Sequence, residues 1–365
     1  LVVAMLAGAI VTDQVGGNSR SGRYAGLPAY AYLAEAMECL SYGWLRWTAY
    51  WLGTQVSSAD SASGQYRRAC IGVANGDFAD AEKWLEAYIG AEPGHSGEES
   101  AALTMQLACI RSLNGDAQGA ARAASEAAAQ DAKSARLQQL SYRFSLEAGD
   151  AQGAANALGA YAELVQDDTL YEAIADLYLE AGNYEESGRF YDLAIGTSGA
   201  NDRLLYMRGT CNMLLGRYAE AVEDFAASAM PGSVYSHGVC AMALGDFEQA
   251  ETCFAEAMER GEQENDARMM LAVCRLEGGA YAEAEELLDQ YMAAGGNYAD
   301  IAYYRANARA MQKNYAGAAG DYASAAEAGQ FRQESLFAAA QCYYFAGDYA
   351  QAIEWFEQCV EEEID

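Results

Sequence analysis

The chain has 365 residues, 52% of them hydrophobic, and only three prolines; that suffices for two ordinary domains or one extended array of short helices, and burial is not limiting. It carries 22 basic against 53 acidic residues, a formal charge of −31, and residues 1–60 hold only three of the basic and four of the acidic ones. A surface this acidic repels phosphate backbones and excludes nucleic acid as an expected partner, and strand-like runs of Val, Ile and Thr alternating at period two are missing.

The first element is an apolar run, Leu1 to Val11, too short to span a bilayer by itself. Three readings stay open: the tail of a signal peptide, since Ala7-Gly8-Ala9 has the small-x-small form of a cleavage site; the end of a membrane anchor; or a buried helix. The first two favour the cell envelope or export and make this segment the route to any membrane association. Residues 14–28 are rich in Gly, Ser and Asn and read as a loop. Residues 29–53 read as one or two helices, in which Leu40, Trp44, Trp47 and Trp51 fall on one face. Packing of that face on the next element, as an N-terminal cap, is the ordinary reading; a membrane-interface or partner-docking helix is the sharper one. We therefore place an irregular N-terminal segment at 1–60 and a second region at 61–365.

From residue 62 onward one pattern recurs: a small or polar residue, Asp or Asn, an aromatic, and Ala three residues later. It reads Gly76-Asp77-Phe78…Ala81, Gly245-Asp246-Phe247…Ala250 and Gly347-Asp348-Tyr349…Ala352, with weaker copies such as Gly115-Asp116-Ala117…Ala120. The third positions, here called turn positions, are 78, 117, 151, 184, 218, 247, 281, 315 and 349, in steps of 39, 34, 33, 34, 29, 34, 34 and 34. Seven residues after each turn position lies a mostly large side chain (Leu85, Tyr191, Phe225, Phe254, Leu288, Tyr322 and Phe356 among them). Nine before it lies a small one (Ala69, Ala108, Ala175, Gly209, Gly238, Ala272, Ala306 and Ala340, with Tyr142 the exception).

This period and punctuation resemble the tetratricopeptide repeat over roughly residues 62–365. The resemblance implies an all-α fold, a right-handed α-solenoid of about nine antiparallel helix pairs. Each pair buries its apolar face only by stacking on the next. It also implies a concave face lined by the first helices, and hence a scaffold that binds a protein or peptide. On the family's register the binding groove is lined by Tyr66, Met105, Arg143, Tyr206, Tyr235, Met269, Tyr303, Asn307 and Phe337. These positions lie twelve or eight residues before the turn. Packing between adjacent first helices is the competing assignment for them. Some family members grip a peptide's terminal carboxylate with a Lys/Asn clamp. The matching row here has no Lys and includes Asp266, Asp300 and Glu334, so that clamp is not expected. Arg208 and Arg305 match a common subtype of the repeat and read as structural.

Four departures stand out. The 39-residue step predicts a longer loop over Glu92 to Ser100, and the 29-residue step predicts a first helix about one turn short, near Val234 to Leu244. The Ala-rich stretch 101–165 is expected to pack thinly. The last repeat shows no cap over Trp355, Phe356 and Val360, which leaves three readings: the chain is a fragment, another subunit covers them in a homo-oligomer through that end, or the acidic run Glu361-Glu362-Glu363 solvates the end.

Catalysis has no support. The two histidines, His95 and His237, lie far apart, and GxGxxG, P-loop and HExxH patterns are absent. The nine cysteines form no CxxC, and Cys211, Cys240, Cys274 and Cys342 each fall seven residues before a turn position, so they read as buried thiols. No metal or cofactor is implied. The alternative to a protein-binding scaffold is a carbohydrate- or other ligand-binding protein of the cell envelope, using the same aromatic row.

Overall fold

The computed structural model describes residues 62–91, 97–329 and 331–362; the readings made for residues 1–60 and for His95 lie outside them. The chain divides into two compact units at Thr197 and Ser198. Among the described residues there are eighteen α-helices and no strand, and the helices fall into consecutive pairs.

In the first unit these are α1 (Ala62–Asn75) and α2 (Phe78–Ala91), α3 (Gly97–Leu113) and α4 (Ala117–Gln130), α5 (Ala135–Ala148) and α6 (Ala151–Val165), and α7 (Tyr171–Glu180) and α8 (Tyr184–Ser198). A 3-10 turn at Asp168–Leu170 precedes α7. In the second unit they are α9 (Asp202–Leu214) and α10 (Tyr218–Ala227), α11 (Ser233–Ala243) and α12 (Phe247–Arg260), α13 (Glu264–Glu277) and α14 (Tyr281–Ala293), α15 (Tyr298–Met311) and α16 (Tyr315–Glu327), and α17 (Arg332–Ala346) and α18 (Tyr349–Glu361). Every second helix begins at a turn position of the sequence pattern.

The turn between the helices of a pair is built from two residues that act differently. Gly245 takes φ 80°, a left-handed conformation that ends α11 without a Cβ penalty, and the Asp246 N–H then donates to the Ala241 carbonyl at 2.9 Å. Asp246 caps α12 by accepting from the Gln249 N–H at 3.0 Å. Asp77, Asp116, Asp150, Asn314 and Asp348 repeat that cap. Arg217 and Ala280 stand at the same place before α10 and α14 and make no side-chain cap.

Packing within a pair follows from the small residue nine before the turn. A Cβ added to Gly238 would lie 2.8 Å from Phe254 Cε1, so the glycine is what lets the aromatic ring lie against the first helix. Phe254 then reaches across to the next pair, in a core with Ala267, Leu271 and Cys274 of α13. Phe225, Leu288 and Tyr322 sit in the same way in their own pairs.

Ion pairs tie one pair to the next. Glu82 and Glu86 of α2 hold Arg111 of α3 at 2.8 and 2.6 Å. Glu251 of α12 holds Arg275 of α13 at 2.8 Å. Glu285 and Asp289 of α14 hold Arg309 and Arg305 of α15 at 2.8 and 2.7 Å. In each case the acid stands four or eight residues after a turn position, and the arginine belongs to the following first helix.

The irregular places differ partly from expectation. The short first helix is present as Ser233–Ala243, eleven residues, and α10 is shortened with it to ten. The joint between them is held by hydroxyls: Ser233 donates to Ser228, which donates to the Asp202 carbonyl at 2.8 Å. The loop expected to reach Ser100 does not, because α3 already begins at Gly97 and runs for 17 residues. The Ala-rich stretch is not thinly buried either. Ala120, Ala121, Ala123, Ala124, Ala127 and Ala128 of α4 are all at most 4% exposed. Their small side chains let neighbouring helices close on α4, so reduced volume brings closer approach rather than lost contact.

Candidate binding face

The groove positions are all on first helices, but they do not share one environment. In the first unit, Tyr66 on α1 is half-buried, with its ring 5.1 Å from Tyr88 and its hydroxyl donating to Gln106 at 3.2 Å. Met105 on α3 is 4% exposed and belongs to the Ala-rich core, so it packs inside instead of lining a face. Arg143 on α5 lies 3.8 Å from Glu147 and 5.8 Å from the Phe144 ring centre. No continuous row emerges in this unit.

The second unit is more regular. Tyr206 and Tyr235 each lie 5.6 Å, centre to centre, from the aromatic nineteen residues on, Phe225 and Phe254. Tyr303 lies 5.9 Å from Tyr322, and Phe337 lies 6.1 Å from Phe356. Such tilted and edge-on contacts are favourable for rings. They fix one side of each ring and leave the other partly exposed. Met269 of α13 is half-buried against the Leu288, Tyr291 and Ile301 core. Both competing assignments therefore apply to this row at once. Phe331, before α17, adds a ring 4.4 Å from Tyr303 that the repeat spacing does not reveal.

The side-chain oxygen of Asn307 is engaged within its own pair, where it accepts from the Tyr322 hydroxyl. In the fourth pair Asp176, at the same position, accepts from Tyr191 at 2.5 Å. Tyr191 and Tyr322 are the two tyrosines seven residues after a turn position, and they coincide with the two Asp/Asn residues eight before it. That co-occurrence is present in the sequence and suffices to find the pairing. A buried hydroxyl needs a partner, and these residues supply it.

Arg208 and Arg305 are half-buried beside buried carboxylates of their own pairs. Arg208 meets Asp224 at 2.5 Å. Asp321 collects Arg305 at 2.9 Å, Arg309 at 2.8 Å and the Tyr298 hydroxyl at 2.5 Å. Arg260, Arg268, Arg275 and Arg332 also pair with glutamates. Residues 198–365 contain 28 acidic and ten basic side chains. The arginines are largely consumed by internal pairing, so this unit faces solvent with an excess of carboxylate. A shallow hollow beside α14 is lined by Glu285, Glu286 and Asp289, two of which already hold arginines.

The recurrent cysteines point into the core. Burial pushes the thiols of Cys240, Cys253, Cys274 and Cys342 up to about 11, and that of Cys70 up to about 12. At neutral pH they are protonated and poor nucleophiles. Iodoacetamide at pH 8 is expected to label Cys240, Cys253, Cys274 and Cys342 at least about tenfold more slowly in native than in denatured protein. The linked stability is present below the unfolded thiol value near 9 and is lost as pH rises toward 11, because only the unfolded thiols then ionise. Urea midpoints measured from pH 8 to 11 should fall, and a flat profile would contradict the burial. Burial also lowers the pKa of His237. Among the described residues no group of His, Cys, Asp and Glu is arranged to hold a metal, and no helix is long and apolar enough to cross a membrane.

Stacked two-helix units, most of them joined by a glycine turn and packed through a small residue against a larger side chain, define a helical-repeat protein. Tetratricopeptide repeat family models match residues 169–201, 235–299 and 333–363. Those stretches, in both units, carry the tetratricopeptide repeat. No curated protein matches it in sequence. A tetratricopeptide repeat protein from Parabacteroides merdae ATCC 43184 is 18% identical, with 77% of this chain and 98% of that chain covered and a TM-score of 0.34. YrrB, described as a TPR protein with an unusual peptide-binding site, is 22% identical over 47% of this chain and 91% of its own, with a TM-score of 0.42. The Naa15/Naa10 structure bound to HypK-THB is 13% identical over 82% of this chain and 58% of that one, with a TM-score of 0.42.

Proposed function

We propose that the protein is a binding scaffold that holds an extended peptide or protein segment along the first helices of its second unit. The observation that carries this is the row Tyr206, Tyr235, Met269, Tyr303 and Phe337, whose four rings are each braced from one side by the ring nineteen residues on. Rigid aromatic and methionine side chains give contact area at low entropic cost. Asp266 and Glu334, exposed one turn earlier on α13 and α17, add negative charge beside the row. The segment it suits carries apolar residues and Lys or Arg together. This reading assigns the chain no catalytic step.

A random-peptide display library and a glycan array, both probed with the full chain, test it. Enriched peptides should combine basic and apolar residues. Their affinity should fall at least about tenfold in Tyr235→Ala or Tyr303→Ala protein, as expected for central aromatic anchors. Circular dichroism would establish that each variant is folded. Binding to glycans alone, or unchanged peptide affinity in both variants, would overturn the proposal.

A further inference from the structure

One bulky side chain stands where the backbone disfavours it. Phe331, just before α17, takes φ 40° and ψ 49°, a left-handed conformation that costs an aromatic residue more than glycine or asparagine. It lies eighteen residues before a turn position. Gln166 and Gln263 stand at the same distance before theirs and take the same conformation, with φ 56° and 45°. The connection between pairs therefore sets the backbone, and the chain puts glutamine into it twice and phenylalanine once. Burial does not account for the phenylalanine, which is 49% exposed. Nor does the end of the sequence, because Gln263 is exposed too, with two more pairs beyond its own.

The exposed ring is held in place. It lies 4.4 Å from the Tyr303 ring, tilted by 33°, and 6.2 Å from Tyr304, edge-on. Both tyrosines are half-buried, and Tyr303 is braced in turn by Tyr322. One face of Phe331 thus rests on Tyr303 while the rest of the ring meets solvent. Glu334 follows one turn later and is exposed. The adjacent Arg332 does not neutralise it, being engaged by Glu362 at 2.5 Å and by the Ala326 carbonyl at 2.8 Å.

Elsewhere this chain shows what a ring and a carboxylate hold between them. The Arg189 guanidinium lies over Phe190, 4.5 Å from the ring centre, and pairs with Glu186 at 2.7 Å. That of Arg305 lies over Tyr298 at 5.1 Å and pairs with Asp321 at 2.9 Å. We propose that the Phe331 ring and the Glu334 carboxylate form a subsite for an arginine side chain of the bound segment. This rests on the peptide-binding reading above and adds to it the place where the basic residue is read. A planar guanidinium stacks on a ring that a lysine ammonium meets only as a hydrated point charge, so the subsite favours arginine over lysine.

The probes are three fluorescein-labelled twelve-residue peptides. Each is four leucine-serine-X repeats, with X arginine, lysine or citrulline. They are titrated with the full chain and read by anisotropy. The arginine peptide should bind at least about threefold more tightly than the lysine peptide. Citrulline keeps the planar group without its charge, and should bind at least about tenfold more weakly than arginine. Phe331→Gln, which installs the residue of the homologous connections, should abolish the preference of arginine over lysine, and Phe331→Tyr should keep it. Glu334→Gln should weaken both charged peptides and leave the citrulline peptide unchanged. Both positions are exposed, and circular dichroism checks that the variants are folded. A preference for arginine that survives Phe331→Gln, or an equal loss of all three peptides in that variant, would overturn the subsite and leave the aromatic row standing. The ring would then be a plain apolar contact or a brace for Tyr303. Failure of all three peptides to bind would also overturn the subsite, and only the further failure of the display library would remove the row with it.

Discussion

Phe254→Ala is expected to lower the stability of the second unit by about 3–5 kcal/mol, among the larger losses any single core truncation brings. The side chain is completely buried between α11 and α12 of its own pair and α13 of the next. Its removal empties a space in the core that the ring forms with Ala250, Ala257, Ala267 and Leu271 against Gly238. The ring also braces Tyr235, so the variant should loosen the proposed binding row. Urea denaturation monitored by circular dichroism gives the cost. A loss below about 1 kcal/mol would mean that the site collapses easily, and the interlocking role given to the aromatic would be wrong.

Asp321→Ala is expected to cost about 3–5 kcal/mol for a different reason, since it strands charge instead of opening a void. Asp321 is 4% exposed and accepts from Arg305, Arg309 and Tyr298 together. Without it two largely buried guanidinium groups keep only their outer partners, Asp289 and Glu285. Those remaining pairs set the loss toward the lower end of the range. Replacing Arg305 and Arg309 by methionine in the same background should recover part of it, because the uncompensated charges are then gone. A double-mutant cycle with no coupling between Asp321 and Arg305 would refute the assignment.

Much of the fold is legible in the sequence because the repeat writes its own boundaries. The short helix expected near Val234–Leu244 is found at Ser233–Ala243, since a glycine turn, an Asp cap and a turn aromatic mark the start of α12 unambiguously. The 39-residue step misplaces the end of a loop: it suggests one reaching Ser100, but the extra residues lengthen α3, which begins at Gly97 and runs for 17 residues. Alanine in α4 suggests weak packing, whereas small side chains draw helices together.

The binding row is legible as positions but not as environments. Met105 and Tyr235 occupy equivalent places, and one is core while the other is half-exposed. The difference depends on how closely neighbouring helices approach, a property of three elements at once. Spacing marks Asn307 as a ligand contact, yet its oxygen serves Tyr322. A polar residue on a first helix can face the ligand or its own pair, and spacing does not distinguish the two.

Within each unit the helices touch mainly those next in sequence, and the ion pairs described above run within a helix, within a pair or from one pair to the following one. No strand from a distant part of the chain has to be found before a pair can form. Folding of such a chain proceeds by short loop closures, and low contact order makes it fast. The same locality removes any single lock. One pair can open by giving up only the interfaces on either side of it, so amide exchange should report a graded series of openings rather than one global event.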